Sequence, residues 1–198
     1  MTTTILLIRH AAHGHLGRVL TGRMDGVELT IEGQEQAERL ARCLEGEPLT
    51  EVHSSGALRA RQTAAALANP QGLPVHEADR LAEIDFGAWT GRTFAELEAD
   101  PSWHQWNTQR SIASPPGGEA MRVVQDRAWR HVVDTARRIG DATAAMVSHC
   151  DVIRAVICKV LGLPLADLLR FDIGPASVSR VALGSWGEKI ISINEYAA

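Results

Sequence analysis

Two apolar runs in this chain end in the same way. Ile5-Leu6-Leu7-Ile8 stops at Arg9-His10, and Ala144-Ala145-Met146-Val147 stops at Ser148-His149. Short aliphatic runs bounded by polar or glycine-rich segments read as buried strands. Strands of this kind sit in parallel sheets covered by helices, and parallel strands bring their C-terminal ends to one edge, where open α/β sheets bind their ligands. That edge is where Arg9-His10 and Ser148-His149 are expected to meet.

Helical patterns fill the intervals. From Thr30, Ala37, Leu40, Ala41 and Leu44 form one apolar stripe, with Glu35, Glu38, Arg39 and Arg42 opposite. Leu49 to His53 reads as a strand, and Ser54-Ser55-Gly56 turns it into a second helix carrying Arg59 about one turn inside and running to Ala68. A strand passing through small residues into a helix leaves free amides near the helix start, where an anion is stabilised. Val75 to Ala78 is another short strand. Glu119 to Ile139 is the clearest helix, with Val124, Ala128, Val132, Ala136 and Ile139 in its stripe and Gly140 at its end. Asp151 to Leu161 reads as a buried helix, Leu165 to Leu169 as a short one, and Val178 to Leu183 with Lys189 to Ile193 as a terminal hairpin.

At 198 residues the chain is expected to be a single domain, residues 1–198, with 86–118 as a covering insertion that forms much of the substrate wall. Trp89, Trp103, Trp106 and Arg110 in or beside it suit either packing or an aromatic or anionic leaving group.

A formal charge of −4 and a pI near 6.1 give no general attraction to nucleic acid or anionic membrane, so any anion binding must be local. Cys43, Cys150 and Cys158 are odd in number and without metal-binding spacing, and no apolar run is long enough to span a membrane. A cytoplasmic location is the expectation. The loop after His10 holds His13, His15, Arg18, Gly22 and Arg23. With His10, its two imidazoles make three within six residues, which fit no zinc pattern, and no metal or other cofactor is expected. An anion pocket beside His10, lined by some of these side chains and by backbone amides such as that of Gly22, is the preferred reading.

Six ordered stretches together resemble the motifs of the histidine phosphatase superfamily, the phosphoglycerate-mutase-like family. They are Leu7-Ile8-Arg9-His10, Leu29-Thr30-Ile31-Glu32-Gly33 through Ala37, Ser54-Ser55 through Arg59-Ala60-Arg61-Gln62-Thr63-Ala64, Leu81-Ala82-Glu83 through Gly87-Ala88-Trp89-Thr90-Gly91, Pro115-Pro116-Gly117-Gly118-Glu119, and Val147-Ser148-His149 through Ile153-Arg154. The resemblance implies a three-layer α/β/α sandwich with a mostly parallel central sheet, and phosphoryl transfer through a phosphohistidine. His10 matches the family nucleophile, and Arg9 and Arg59 its phosphate-binding arginines. His149 matches the second histidine, expected as a charged donor, and Glu83 the carboxyl that protonates the leaving group and then activates water. Asp85, two residues on, is the rival carboxylate. Burial of Glu83 under the Trp89 segment is expected to raise its pKa. Ser148 and the amide of Cys150 are further candidates for phosphate contact.

The chain departs from the family pattern after the nucleophile. Ala11, Ala12 and His13 stand where glycine, an acidic residue and Ser or Thr are commonest, and His15 or Leu16 falls near the place of an expected asparagine. His13 and His15 are the candidate substitutes for the missing phosphate contacts. The expected activity is a metal-independent phosphomonoesterase acting on a small-molecule phosphate ester. A phosphoglycerate-type phosphomutase and a non-catalytic phospho-ligand-binding or scaffold protein are the alternatives. The sequence does not separate a monomer from a homodimer.

Overall fold

The computed structural model describes residues 2–196. In chain order its regular elements are β1 (Thr2–Arg9), α1 (Ile31–Cys43), β2 (Leu49–Ser54), α2 (Leu58–Ala68), β3 (Val75–Glu77), α3 (Phe94–Leu97), α4 (Pro101–Thr108), α5 (Met121–Ile139), β4 (Thr143–Ser148), α6 (Cys150–Leu161), β5 (Val178–Gly184) and β6 (Gly187–Glu195). The strands form one mixed sheet in the order β3-β2-β4-β1-β5-β6. The three pairings from β3 to β1 are parallel, and β5 and β6 add an antiparallel hairpin at the far edge.

The period-2 alternation of a strand divides β1 between two cores. Ile5 and Leu7 face the side that holds Val124, Ala128 and Val132 of α5 and Val152, Val156 and Ile157 of α6. Leu6 and Ile8 face Ala37 and Leu40 of α1 and Ala60, Ala64 and Leu67 of α2. β4 divides likewise, Ala144 and Met146 to one face, Ala145 and Val147 to the other. Every residue from Ile5 to Ile8 is therefore buried, at about 1.5–3 kcal/mol for each large aliphatic side chain, and the sequence shows a continuous apolar run. Helices on both faces complete the three-layer α/β/α sandwich.

Two details fix the loop after β1. Thr30 caps α1 by accepting from the Gly33 amide at 3.1 Å, and its own amide donates to the Ala12 carbonyl at 3.1 Å. A Cβ on Gly33 would lie 2.0 Å from that carbonyl oxygen, so the helix start reaches the loop only with glycine there. Ala11 and Ala12 donate to Thr63 Oγ1 and Gln36 Oε1, each at 3.0 Å. The segment leaving the strand is thus held from α1 and α2 together.

The covering segment packs differently from one expectation. Trp89, Trp103 and Trp106 are all buried, with ring centroids 5.4 to 5.8 Å apart, and Phe86 meets Trp106 edge-on at 5.6 Å. Arg110 lies over the Trp106 ring at 3.8 Å and is paired with Asp151. These side chains tie α4 to the α5–α6 face; they are core, because each indole reaches neighbouring aromatic surface before it reaches the cleft. α5 also begins later than its sequence pattern suggests: Glu119 stays outside the helix and accepts from Arg23 and Arg127.

Candidate active site

β1 and β4 pair with Arg9 opposite Ser148, so the next residue of each strand, His10 and His149, emerges at the same level of the sheet edge. Their ring centroids are 5.1 Å apart. Ser54 of β2 pairs with Val147, which brings Ser55 to the same edge, and its hydroxyl lies 2.8 Å from His149 Nε2. Arg59, the second residue of α2 and so nearer the helix start than its sequence spacing suggests, reaches between the two histidines.

The buried Arg59 guanidinium sets the hydrogen-bonding roles. Its Nε donates to His10 Nε2 at 3.3 Å, and its Nη2 donates to the Gly22 carbonyl at 2.7 Å and to His149 Nδ1 at 3.3 Å. A nitrogen that accepts carries a lone pair, which leaves the proton of each neutral ring on the other nitrogen. His10 Nδ1–H then donates to the Ala11 carbonyl at 2.8 Å, and His149 Nε2–H to Ser55. Gly22 adopts φ +47° to turn its carbonyl to Arg59. Arg59 Nη1 and Arg9 Nε are buried without a protein acceptor, while Arg9 Nη1 donates to Ile173 O at 2.6 Å. Buried guanidinium N–H groups without acceptors are costly unless an anion meets them.

The same surroundings set the charges. Burial first, and Arg59 next, push both His10 and His149 well below the ordinary imidazole range, so both are neutral at pH 7. His149 is thus neutral on its own, and the charged donor expected from the sequence requires a phosphate dianion placed against it. Glu83 moves the other way. Burial, reinforced by the Asp151 charge, raises its carboxyl to about 7, with Oε2 3.7 Å from His149 Nδ1 and Oε1 accepting from the Ile84 amide at 2.9 Å. Its side chain is 15 % exposed.

Beside these groups lies a cleft of about 380 Å³ lined by Arg9, His10, His13, Gly22, Glu83 and Cys150, with an outer wall of aliphatic and aromatic side chains. His13 is brought in, its ring 5.3 Å from that of His10, and burial with the Arg59 charge lowers it to about 4. Its Nδ1 accepts from the His15 amide at 3.3 Å, which leaves the proton on Nε2. His15 itself is exposed and does not line the cleft, because the turn at Gly14 carries it outward. Ser148 is also absent from the lining: its hydroxyl donates to the Leu81 carbonyl at 2.7 Å and ties β4 to the segment before Glu83. Cys150 lines the cleft as a thiol that burial raises to about 11. Asp85 is not placed as a rival to Glu83, since it accepts from the Gly87 amide at 2.9 Å and stays half exposed.

Two contributors were not singled out from the sequence. Ser55 holds the second ring nitrogen of His149, and Asp151 lines the cleft while pairing with Arg110 and Arg154. Against the upward push of burial, those two guanidinium groups keep Asp151 below the usual carboxylate range. The Ser54-Ser55 pair at a strand end was a visible signal; the Arg110–Asp151 partnership, 41 residues apart, was not.

An α/β sheet edge that presents two neutral imidazoles, buried guanidinium donors and a carboxyl titrating near neutrality defines an enzyme of phosphoryl transfer. The chain belongs to the histidine phosphatase superfamily (branch 1), whose family pattern matches residues 5–196. It is 30% identical over 194 residues to phosphoserine phosphatase 1 of Hydrogenobacter thermophilus, covering 96% of this chain and 91% of that one. With an acid phosphatase of Mycobacterium tuberculosis it shares 34% identity over 181 residues, 88% of this chain and 83% of the other. The structure of a mycobacterial glucosyl-3-phosphoglycerate phosphatase superposes with a TM-score of 0.88 at 26% identity, covering 98% of this chain and 99% of that chain.

Proposed function

We propose that this protein is a metal-independent phosphomonoesterase that hydrolyses a small phosphorylated metabolite through a phosphohistidine on His10. The observation that carries this reading is the arrangement around His10: Nδ1–H held by the Ala11 carbonyl, the Nε2 lone pair turned to the Arg59 guanidinium, and a carboxyl raised to about 7 across the cleft. The Nε2 lone pair attacks phosphorus and the bond to the ester oxygen breaks. Glu83 delivers its proton to the departing alkoxide. Arg9, Arg59 and His149, which gains a proton beside the dianion, hold the three peripheral oxygens as charge shifts onto them. Glu83, now a carboxylate, takes a proton from water; the water oxygen bonds to phosphorus, the N–P bond breaks, and inorganic phosphate leaves with His10 restored.

The phosphatases named among the similar proteins, which act on phosphoserine and glucosyl-3-phosphoglycerate, support hydrolysis of a small ester. His13, the Gly22 segment and the amide of Cys150 complete the phosphate end in this reading, and residues 86–118 supply part of the substrate wall within one domain. Among the described residues no helix is long and apolar enough to cross a membrane, and we take the cytoplasm as the working compartment.

The test is phosphate release from a panel of phosphomonoesters with and without EDTA, for the wild type and His10→Ala. Release that resists EDTA and vanishes in His10→Ala supports the reading. Release that EDTA abolishes, or that survives in His10→Ala, refutes it; phosphoryl exchange between phosphoglycerates without release assigns a mutase instead.

A further inference from the structure

The wall of the cleft opposite the phosphate end is apolar and is built from two segments zipped together. Val19 bridges Thr93, Leu20 N–H donates to Arg92 O at 2.9 Å, and Phe94 N–H donates to Arg18 O at 3.0 Å. This pairing sets Leu16, Val19 and Leu20 from the loop after β1 beside Phe94 at the start of α3, with Phe86 completing the wall. Leu16 is 37% exposed, a large aliphatic side chain at the cleft rather than in the core. Phe94 is half-buried, its inner side packed on Trp103 at a centroid distance of 6.1 Å.

Most charged groups nearby are already matched, and Arg18, between Leu16 and Val19, is turned to the Gly14 carbonyl and does not line the cleft. Among the described residues Arg9 is the only guanidinium in the cleft lining, and it stands at the phosphate end. Asp151 has one oxygen on Arg110 and the other on Arg154, so it is not free to hold a substrate ammonium group. His13 is neutral. A neighbouring hollow of about 330 Å³ across Glu83 contains Arg23 and Arg61, but Arg23 is held by Glu119 at 2.9 Å and the Glu83 carbonyl at 2.8 Å, and Arg61 lies 3.6 Å from Glu77. His10 lines the apolar cleft and not that hollow.

From this wall we infer that the ester's alcohol portion is uncharged and carries apolar surface, and that Leu16, Val19 and Phe94 select it against carboxylated leaving groups. The inference rests on the phosphatase reading for its site and names the substrate class within it. An apolar chain against the wall gains from leaving water, whereas a carboxylate there gives up hydration with no cation in that part of the lining to receive it. Each buried methylene is worth ~0.8 kcal/mol, so four extra carbons lying half on the wall favour binding about tenfold.

Binding and turnover separate the two ideas. Calorimetric titration with ethylphosphonate, hexylphosphonate and a carboxyethylphosphonate measures the wall whether or not the protein turns over. The expected result is hexyl about tenfold tighter than ethyl, and carboxyethyl no tighter than ethyl. In Phe94→Ala the hexyl preference should shrink to within threefold of ethyl, and Leu16→Arg should make carboxyethyl the better ligand, with thermal unfolding confirming that both variants fold. Equal affinity for ethyl and hexyl, or carboxyethyl tightest in the wild type, overturns the inference. Turnover of hexyl phosphate against phosphoglycerate is read separately: absence of release from every ester refutes the phosphatase reading while the binding series still decides the wall.

Discussion

Replacing Glu83 with glutamine should weaken catalysis and strengthen the fold, both for the same reason. Burial and Asp151 raise this carboxyl from 4.5 to about 7. That difference corresponds to ~3 kcal/mol of resistance to ionisation in the folded state. A carboxyl whose pKa is raised on folding contributes its full stability below the unfolded value and loses it as pH rises through the folded value, so the penalty grows from about pH 4.5 and is complete above about pH 7. Glutamine keeps an oxygen for the Ile84 amide and never ionises. At pH 8 the variant should unfold later by up to ~3 kcal/mol, or roughly 5–10 °C for a chain of this size, and at pH 4 the two should coincide. Hydrolysis of an alkyl phosphate should fall roughly 10²–10⁴-fold, because an alkoxide cannot leave without a proton. A nitrophenyl ester needs no such proton, so it should still phosphorylate His10 in a burst and then stall for want of a base. In the wild type, kcat/KM for alkyl esters should decline above about pH 7 as the acid form of Glu83 is lost. Scanning calorimetry at pH 4 and 8, with burst kinetics, gives both readouts. Stability unchanged at pH 8 together with activity within tenfold of the wild type would refute the assignment of the raised pKa and of the acid to Glu83.

Arg59→Lys should lower kcat/KM more than 10²-fold in steady-state assays, since an ammonium cannot meet His10, His149 and the Gly22 carbonyl from one plane; retention of a tenth of the activity would show that charge alone suffices. Ser55→Ala removes the partner of His149 Nε2 and should reduce kcat about tenfold with little change in unfolding temperature, an orienting effect that disappears if kcat stays within twofold. On the far side of the sheet, His131 Nε2 lies 3.0 Å from His53 Nδ1, and burial with the His53 charge lowers His131 to about 4. A histidine lowered on folding takes up protons more readily when unfolded, so stability should drop as pH falls from about 6.5 towards 4. His131→Gln should flatten that part of the denaturation curve, and a slope unchanged by the substitution would assign the acid sensitivity elsewhere.

The strands that make the site could be read from the sequence because burial on both faces leaves a continuous apolar run, and a run that stops at Arg9-His10 or Ser148-His149 marks the place where the chain leaves the core. The helices of the two outer layers were legible for the complementary reason: Ala37 and Leu40, or Val124, Ala128 and Val132, repeat at the helical period because only one side of each helix is covered. Neither pattern carries information about pairs brought together across the sheet. Ser148 and Ser55 are both serines at strand ends, yet one bonds Leu81 and the other His149; sequence alone ranks neither above the other. The tryptophans, open to either packing or substrate contact from the sequence, turn out to be packed. Trp103 and Trp106 have the composition of a binding wall, but an aromatic side chain signals only a large apolar surface, and what it meets depends on neighbours as distant as Arg110 and Trp89.

The departure after the nucleophile acquires a physical meaning from the same geometry. Ala11 and Ala12 are buried and offer only backbone, so their amides are held by Thr63 and Gln36 and the Ala11 carbonyl is left to fix the His10 tautomer. The side-chain chemistry moves two residues on, to His13, whose ring closes on His10 while Leu16 takes its place on the apolar wall. Where a hydroxyl and an amide would have added phosphate contacts, a neutral imidazole and an apolar leucine line the cleft instead. On the proposed reading the phosphate end supplies affinity common to every phosphomonoester, so discrimination among esters would fall to the segment zipped between Val19 and Thr93.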